Sequence, residues 1–206
     1  MTVLELRSEP GGLTVEAGEW VAVAGPPSLL PLLGLFEAAA PGGLLLEGTD
    51  TGRLTERERA VLRGRRIGLL LRRPALLRLR TAEENLLLAQ VYVRTPRAER
   101  RPAARAALER AGLGDRSGAL PGALTAAERC RLALARALVN RPALLLCEEP
   151  VEGLDPAGAE TVLALLDRLH GEGQTVLVLT RDPAVADRAG RTVRIPGGAT
   201  AEAAVV

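Results

Sequence analysis

Residues 144–150 read Leu-Leu-Leu-Cys-Glu-Glu-Pro, an unbroken apolar run that leads into two neighbouring carboxylates. Apolar residues at consecutive positions predict a strand that is covered on both faces, as in a parallel sheet. The carboxyl ends of such strands face the crevice where parallel sheets bind their ligands. Glu148 and Glu149 are therefore candidates for holding Mg²⁺ and an attacking water. Taken alone, the pair is more simply explained as solvated or salt-bridged acids.

Short apolar runs of the same kind alternate with helical segments along the chain. They predict strands at Val21–Ala24, Leu44–Glu47, Ile67–Leu71, Ala143–Cys147, Thr175–Thr180 and Thr192–Ile195. Helix starts are marked by the capping boxes Thr55/Glu58, Thr81/Glu84 and Thr125/Glu128, and by Asp155-Pro156 and Asp182-Pro183. This alternation predicts an α/β fold with a mostly parallel sheet and helices on its faces.

The composition excludes several classes of function. The 206 residues carry 27 basic and 25 acidic side chains, a net charge of +2, and every basic residue is an arginine. So small a charge excess, with only three aromatic residues, argues against nucleic acid as a partner. Two cysteines and one histidine are too few for a structural zinc site or a disulfide framework, which favours a reducing cytosol.

No segment predicts a membrane span or a secretion signal. The least charged stretch, residues 21–46, is interrupted by four prolines and is broken into parts shorter than the ~20 residues that a span needs. The N-terminus lacks the charged-then-apolar order of a signal peptide. We therefore expect a cytoplasmic protein.

The segments around residues 144–150 resemble the ATP-binding cassette (ABC) ATPases. Residues 124–142 precede the strand as the family's signature helix does, and Gly153-Leu154-Asp155 follows it like the family's Leu-Asp loop. The resemblance covers nearly the whole chain, including residues 13–26 before the phosphate loop, 66–71 and 81–86 around the glutamine loop, and 173–180 before the switch histidine. The most similar branch contains lipoprotein-release, macrolide-export and cell-division cassettes.

The resemblance implies a single domain over residues 1–206. It would have a P-loop NTPase-like core (1–71 and 142–196) with a shortened N-terminal β portion, an inserted helical subdomain (72–141) and a frayed tail (197–206). It also implies ATP and Mg²⁺ as cofactors, and a membrane permease or an intact ABC ATPase as partner. Members pair head to tail, and a complex with a permease would hold the chain at the inner face of the plasma membrane.

The phosphate loop departs from the family pattern. The motif G-x-x-x-x-G-K-[ST] wraps phosphates in backbone N–H groups and places a lysine on them. Here Gly25 is followed by Pro26-Pro27-Ser28, and alignment with the family removes about four residues, the lysine included. Gly25 and Ser28 are the remaining candidates for this site, with Ser28 as the magnesium hydroxyl. Proline has no N–H to offer an anion.

Other family positions are substituted as well. The signature L-S-G-G-Q reads Leu-Thr-Ala-Ala-Glu at residues 124–128, which is better explained as a helix cap. Arg72 takes the glutamine-loop position, Arg181 the switch-histidine position and Glu148 the position of the metal-binding aspartate. Glu149, matching the catalytic base, and Asp155 of the Leu-Asp loop are retained. We expect the guanidinium of Arg72 or Arg181 to pair with Glu148 or Glu149, because an unpaired buried carboxylate is costly.

Three functions are compatible with these residues. The leading one is a catalytically degenerate cassette subunit that couples to or regulates a permease or an intact cassette. The second is an active ATP-hydrolysing subunit with an altered phosphate loop. The third is a module outside transport that binds another anion or a protein at Arg72, Arg73 and Arg181.

Overall fold

The computed structural model describes residues 1–7 and 12–196. Its nine strands are β1 (Thr2–Leu6), β2 (Leu13–Glu16), β3 (Trp20–Ala24), β4 (Leu44–Leu46), β5 (Thr49–Asp50), β6 (Ile67–Leu70), β7 (Leu144–Glu148), β8 (Thr175–Leu179) and β9 (Arg191–Arg194). Its seven α-helices are α1 (Leu29–Leu33), α2 (Glu56–Arg66), α3 (Ala82–Tyr92), α4 (Arg97–Arg110), α5 (Ala126–Leu138), α6 (Pro156–Gly171) and α7 (Pro183–Ala186). The predicted tail, 197–206, lies outside the described residues.

Five strands form a fully parallel sheet in the order β6-β7-β8-β3-β9. Each had been predicted from its apolar run, and no bound differs by more than one residue from the prediction. In the register, Leu70 of β6 lies beside Cys147 of β7, and Glu148 of β7 lies beside Leu179 of β8. The ends of these three strands therefore meet at Glu148 and Glu149.

A second sheet is antiparallel, in the order β2-β1-β4-β5. Its strand β4 was predicted as a strand, but it belongs to this sheet and not to the parallel one. Strands β1, β2 and β5 lack an unbroken apolar run and are not predicted: β1 and β2 mix apolar with polar residues, and β5 consists of Thr49 and Asp50. The turn from β4 to β5 holds Glu47 and Gly48 at φ 48° and 76°, which suits a two-residue hairpin.

The parallel sheet separates two hydrophobic clusters, because successive side chains of a strand point to opposite faces. Leu145 and Cys147 pack with Trp20 and with helices α3 to α6 on one face. Leu144 and Leu146 pack on the other face with α1 and the antiparallel sheet. Both faces of β7 are thus buried, as the unbroken apolar run requires.

The predicted helix starts are confirmed. Capping boxes close the N-termini of α2, α3 and α5 at Thr55, Thr81 and Thr125, while Asp155 and Asp182 cap α6 and α7. Residues 72–141 hold α3, α4 and α5 between β6 and β7. Among the described residues, no helix is both long and apolar enough to cross a bilayer.

Candidate functional site

A narrow crevice lies at the carboxyl ends of the parallel strands. Its walls come from β3 and the turn after it, and from the residues that follow β6, β7 and β8. They are Val23, Gly25, Pro26, Pro27, Arg72, Glu148, Glu149, Leu179, Thr180 and Arg181. The crevice has a free volume of about 30 Å³, which is room for one or two water molecules. Five of the residues singled out in the sequence, Gly25, Arg72, Glu148, Glu149 and Arg181, lie together in these walls.

The carboxylate of Glu149 is held from the end of β8. Its Oε2 accepts a hydrogen bond from the hydroxyl of Thr180 at 2.8 Å, and its Oε1 accepts one from the backbone N–H of Arg181 at 2.9 Å. The backbone N–H of Glu149 donates to the carbonyl of Leu179 at 2.9 Å. Glu149 also has a φ of 41°, a strained value for a residue with a Cβ. Side chain and backbone of Glu149 together tie the ends of β7 and β8.

Glu148 is held from the other side, at the end of β6. Its Oε2 accepts a hydrogen bond of 3.2 Å from the backbone N–H of Arg72. The Arg72 side chain leaves the crevice, and its Nε lies 3.2 Å from Oε2 of Glu152. Adjacent strand ends therefore supply main-chain donors to Glu148 and Glu149, one each.

The expected guanidinium partner for these two acids is corrected by this geometry. Within residues 1–7 and 12–196, neither the Arg72 nor the Arg181 guanidinium forms an ion pair with Glu148 or Glu149. Arg72 pairs with Glu152 instead, and the Arg181 side chain is exposed. The carboxylates do find donors, as their burial requires, but these are backbone N–H groups and the Thr180 hydroxyl.

In the turn after β3, backbone N–H groups donate to carbonyls of the same turn. The backbone N–H groups of Leu29 and Leu30 donate to the carbonyls of Pro26 and Pro27 at 3.1 and 3.4 Å. A Cβ on Gly25 would lie 2.5 Å from Cδ1 of Leu29, so the chain packs tightly against itself here. Ser28 precedes α1, is exposed, and makes no capping hydrogen bond with its side chain. The N–H groups of Leu29 and Leu30 are therefore not free to bind an anion in the crevice.

Residues 124–128, at the position of the family signature, form a capping box at the N-terminus of α5. The hydroxyl of Thr125 accepts from the N–H of Glu128 at 3.2 Å, and Oε2 of Glu128 accepts from the N–H of Thr125 at 2.8 Å. The Thr125 amide holds the pKa of the Glu128 carboxyl below its usual range, and Arg116 and Arg131 act in the same direction. A negative charge therefore stands at the N-terminus of α5, where it meets the positive end of the helix dipole.

Asp155 also serves as a helix cap. Its Oδ1 accepts a hydrogen bond of 2.7 Å from the N–H of Gly158 in the first turn of α6. A Cβ on Gly158 would approach Asp155 Oδ1 to 2.6 Å and the Ala127 Cβ to 3.1 Å. The Leu-Asp segment and the start of α5 are thus in close contact.

The crevice does not fit a nucleotide triphosphate with its metal. Its free volume is about 30 Å³, the oxygens of Glu149 already accept internal hydrogen bonds, and the turn after β3 has no lysine and uses the N–H groups of Leu29 and Leu30 for its own hydrogen bonds. The part of the chain that the structure describes holds no group of three or more acidic, histidine or cysteine side chains suited to a metal ion.

Thr180 and Glu152 are site residues that the sequence reasoning did not single out. Thr180 is almost fully buried and donates to Glu149, and its Oγ1 also accepts from the N–H of Asp182 at 3.0 Å. A polar residue directly after a buried strand, beside the strand that carries the acids, was the available signal. Glu152 gave no comparable signal, because its pairing with Arg72 depends on how the two loops turn.

Comparison with known proteins places this geometry in a family. The family model described as ABC transporter matches residues 10–152. The macrolide export ATP-binding/permease protein MacB 1/2 of Paracoccus denitrificans is 39% identical over 191 residues, which are 90% of this chain and 29% of that protein. The uncharacterized ABC transporter ATP-binding protein YvrO of Bacillus subtilis is 38% identical, over 90% of this chain and 83% of its own length.

Solved structures agree with these relatives. The dimeric ATP-binding cassette MJ0796, bound to ADP and Pi after hydrolysis, superposes with a TM-score of 0.78 at 25% identity, over 96% of this chain and 97% of that one. The chain spans less than a third of the length of the macrolide export proteins that it matches. It belongs to the ABC transporter family and has the α/β fold of the ATP-binding cassettes.

Proposed function

We propose that this chain is an ABC cassette subunit that does not hydrolyse ATP, and that it couples to or regulates a membrane permease or an intact cassette. Family membership suggests ATP and Mg²⁺ as ligands, so the proposal concerns the site where they would bind. The observation that carries it is the closed crevice, in which Glu148 and Glu149 are bound by the protein's own backbone N–H groups.

The chemistry of phosphoryl transfer supports this proposal. Such transfer depends almost entirely on positioning the phosphates and stabilising their charge. The nearest cations are the guanidinium groups of Arg72, which pairs with Glu152, and Arg181, which faces solvent. Glu149, the candidate base, already accepts hydrogen bonds from the Thr180 hydroxyl and the Arg181 N–H, which hold its carboxylate against the end of β8.

The named relatives support the partners in the proposal. The macrolide export proteins combine, by their names, an ATP-binding part with a permease, and this chain matches about 30% of their length. The solved neighbours are dimers. A permease, or a second cassette that binds head to tail, would place this chain at the inner face of the plasma membrane.

An ATPase assay tests the catalytic part of the proposal. We expect the purified chain to release phosphate from MgATP no faster than its E149Q variant, because Glu149 is occupied in holding β8. E149Q is the matched control, since it has nearly the same size, removes the charge and leaves one acceptor oxygen. A phosphate release rate that is clearly higher in the wild-type chain than in E149Q would show an active ATPase and refute the proposal.

Calorimetric titration tests nucleotide binding separately. We expect no heat of binding from MgATP at millimolar concentration, because the chain has no lysine for the phosphates and the N–H groups of Leu29 and Leu30 are used within the turn after β3. Binding in the micromolar range that is lost in S28A, which removes the candidate magnesium hydroxyl, would favour the alternative of a working cassette with an altered loop.

A further inference from the structure

Helix α2 is poorly buried, although it carries apolar side chains. No residue of α2 is fully buried, and Val61 is 48% exposed although it lies in the middle of the helix. Beside it, Leu54 and Leu62 are half-buried. These three side chains, with Arg57 and Arg65, line an open groove of about 460 Å³, which we call the α2 groove.

The α2 groove carries two positive charges that the fold does not use. Three of the five arginines of α2 have partners: Arg59 donates to the carbonyl of Leu54, Arg63 to that of Leu35, and Arg66 pairs with Glu47. Arg57 and Arg65 are exposed, and within residues 1–7 and 12–196 they form neither an ion pair nor a hydrogen bond.

The acid of the groove, Glu58, is charged but forms no ion pair with Arg57 or Arg65 within residues 1–7 and 12–196. Glu58 lines the groove, but its Oε2 accepts from both the N–H and the hydroxyl of Thr55, at 2.9 and 2.7 Å. The capping hydrogen bonds with Thr55 lower the pKa of Glu58 and keep its charge at the helix N-terminus. The groove therefore presents an apolar floor with an unpaired cation toward each end.

The spacing of these side chains defines what would fit. Arg57, Val61 and Arg65 are four residues apart and so lie along one side of α2. At the rise of an α-helix, the two arginines are about 12 Å apart along the axis. A helix laid along α2 would match them with two carboxylates eight residues apart and a large apolar side chain between them.

We propose that the α2 groove docks an acidic amphipathic helix of a partner protein, held by Arg57 and Arg65 at its ends and by Leu54, Val61 and Leu62 at its floor. Charge complementarity selects a partner with carboxylates, and the concave apolar floor favours a helix over a flat surface. This inference concerns a different face from the crevice and holds whether or not the chain hydrolyses ATP.

A designed peptide tests the proposal. The probe is a fluorescein-labelled helical peptide of fifteen residues with Glu, Leu and Glu at positions i, i+4 and i+8, and its control has glutamine in place of both glutamates. Binding to the whole chain is followed by fluorescence anisotropy without nucleotide. We expect the Glu peptide to bind about tenfold more tightly than the Gln peptide, because two exposed ion pairs are lost in the control.

Protein variants locate the binding. R57Q/R65Q should reduce the affinity for the Glu peptide about tenfold, to that of the Gln peptide, without changing the melting temperature, because neither side chain has an internal contact. The matched control R97Q/R101Q removes two exposed arginines of α4 and should leave peptide binding unchanged. V61S should weaken both peptides alike.

Three outcomes would overturn the proposal. The first is no difference between the Glu and Gln peptides, including no binding of either up to millimolar concentration. The second is an equal loss of affinity in R97Q/R101Q, which would show only general attraction to a basic surface. The third is binding to phosphatidylserine vesicles that needs Arg57 and Arg65 while the peptide does not bind, which would assign the face to a membrane.

Discussion

At the scale of single residues, the strand-end acids act as ties between strands. Glu149 joins β7 to β8 through Thr180 and the N–H of Arg181, and Glu148 joins β7 to β6 through the N–H of Arg72. Hydrogen bonds to a charged acceptor contribute about 1.5–3 kcal/mol each when the group is sheltered. Glu148 and Glu149 therefore have a structural role at the strand ends.

Replacing Glu149 tests that role. We expect E149A to lower the free energy of unfolding by about 1–2 kcal/mol, because Thr180 and Arg181 lose an acceptor near the protein interior. Alanine keeps a Cβ at the strained φ, so the backbone cost is unchanged. E149Q, which retains one acceptor oxygen, should fall between E149A and the wild type in urea denaturation. Equal stability of all three proteins would show that the hydrogen bonds contribute nothing.

The two cysteines give a second prediction at this scale. Burial raises the pKa of the Cys130 thiol to about 12 and that of Cys147 further, and the Cys130 thiol donates to the carbonyl of Pro150 at 3.2 Å. Thiolate is the reactive form, so neither cysteine should react with Ellman's reagent at pH 8 in the folded chain. Two thiols should react in guanidinium chloride. A fast native reaction that disappears in C130S would contradict this.

At the scale of elements, the helical segment of residues 72–141 packs against the parallel sheet where α5 crosses β6. A Cβ on Gly68 of β6 would lie 2.6 Å from the carbonyl oxygen of Ala137 in α5 and 2.9 Å from Cγ of Pro142. Both neighbours are held by backbone geometry and cannot turn aside. The absence of a side chain at Gly68 thus sets the distance between helix and sheet.

The substitution Gly68→Ala should therefore destabilise the protein. We expect a loss of about 1–3 kcal/mol from overpacking, measured by urea denaturation. Gly118→Ala is the control, because a Cβ there has nothing within 4 Å, and it should change stability by no more than about 0.5 kcal/mol. An unchanged midpoint for Gly68→Ala would mean that α5 moves away from β6 at no cost.

The β4–β5 hairpin contains an acid whose role depends on pH. Asp50 accepts hydrogen bonds from the N–H groups of Gly42 and Gly52, and its carboxylate pairs with Arg53. The Gly42 amide, followed by Gly52 and Arg53, holds the pKa of Asp50 below its usual value. Folding therefore favours the charged form of the Asp50 carboxyl. The stabilisation that this charge gives the folded protein is fully present above the unfolded pKa of about 3.9, and it is lost as the pH falls through the folded pKa.

Comparing D50N with the wild type over pH checks this sign. We expect D50N to melt at a lower temperature at pH 7, and the difference to narrow as the pH falls below about 4. Thermal melts followed by circular dichroism between pH 2.5 and 7 provide the measurement. A difference that stays constant over this range would remove the carboxylate from the explanation.

At the scale of the whole molecule, the parallel sheet makes the two hydrophobic clusters interdependent. Leu145 and Leu146 are neighbours on β7, fully buried in different clusters. Trp20, the chain's only tryptophan, lies in the cluster of Leu145 and stacks edge-on against His170 at 5.8 Å between ring centroids. Its fluorescence reports on one face of the sheet only.

A substitution on the opposite face tests whether the molecule unfolds as one unit. L146A should lower the free energy of unfolding by about 2–5 kcal/mol and shift the Trp20 fluorescence and far-ultraviolet dichroism transitions together. L79A is the control, because Leu79 is 90% exposed. Separate transitions would show that the antiparallel sheet and α1 unfold on their own.

The sequence predicted most of this architecture because its local signals agree with the fold. Short apolar runs, several of them unbroken, located all five parallel strands, and Thr-x-x-Glu and Asp-Pro pairs located the starts of five of the seven described α-helices. The antiparallel strands β1, β2 and β5 lack such runs. At the site, the strand pattern predicted that Glu148 and Glu149 lie at a strand end but did not predict their partners. Main-chain donors carry no sequence signature, and their direction depends on how each strand end turns.

Within the described residues, β9 is an edge strand of the parallel sheet. It carries two arginines, Arg191 and Arg194. An open sheet edge is a template on which another copy can add a strand. Arg191 pairs with Glu19, so Arg194 carries the positive charge that this edge presents. Two copies approaching along β9 would bring their Arg194 side chains together, which opposes self-association through this edge, and valine at this position would weaken that protection.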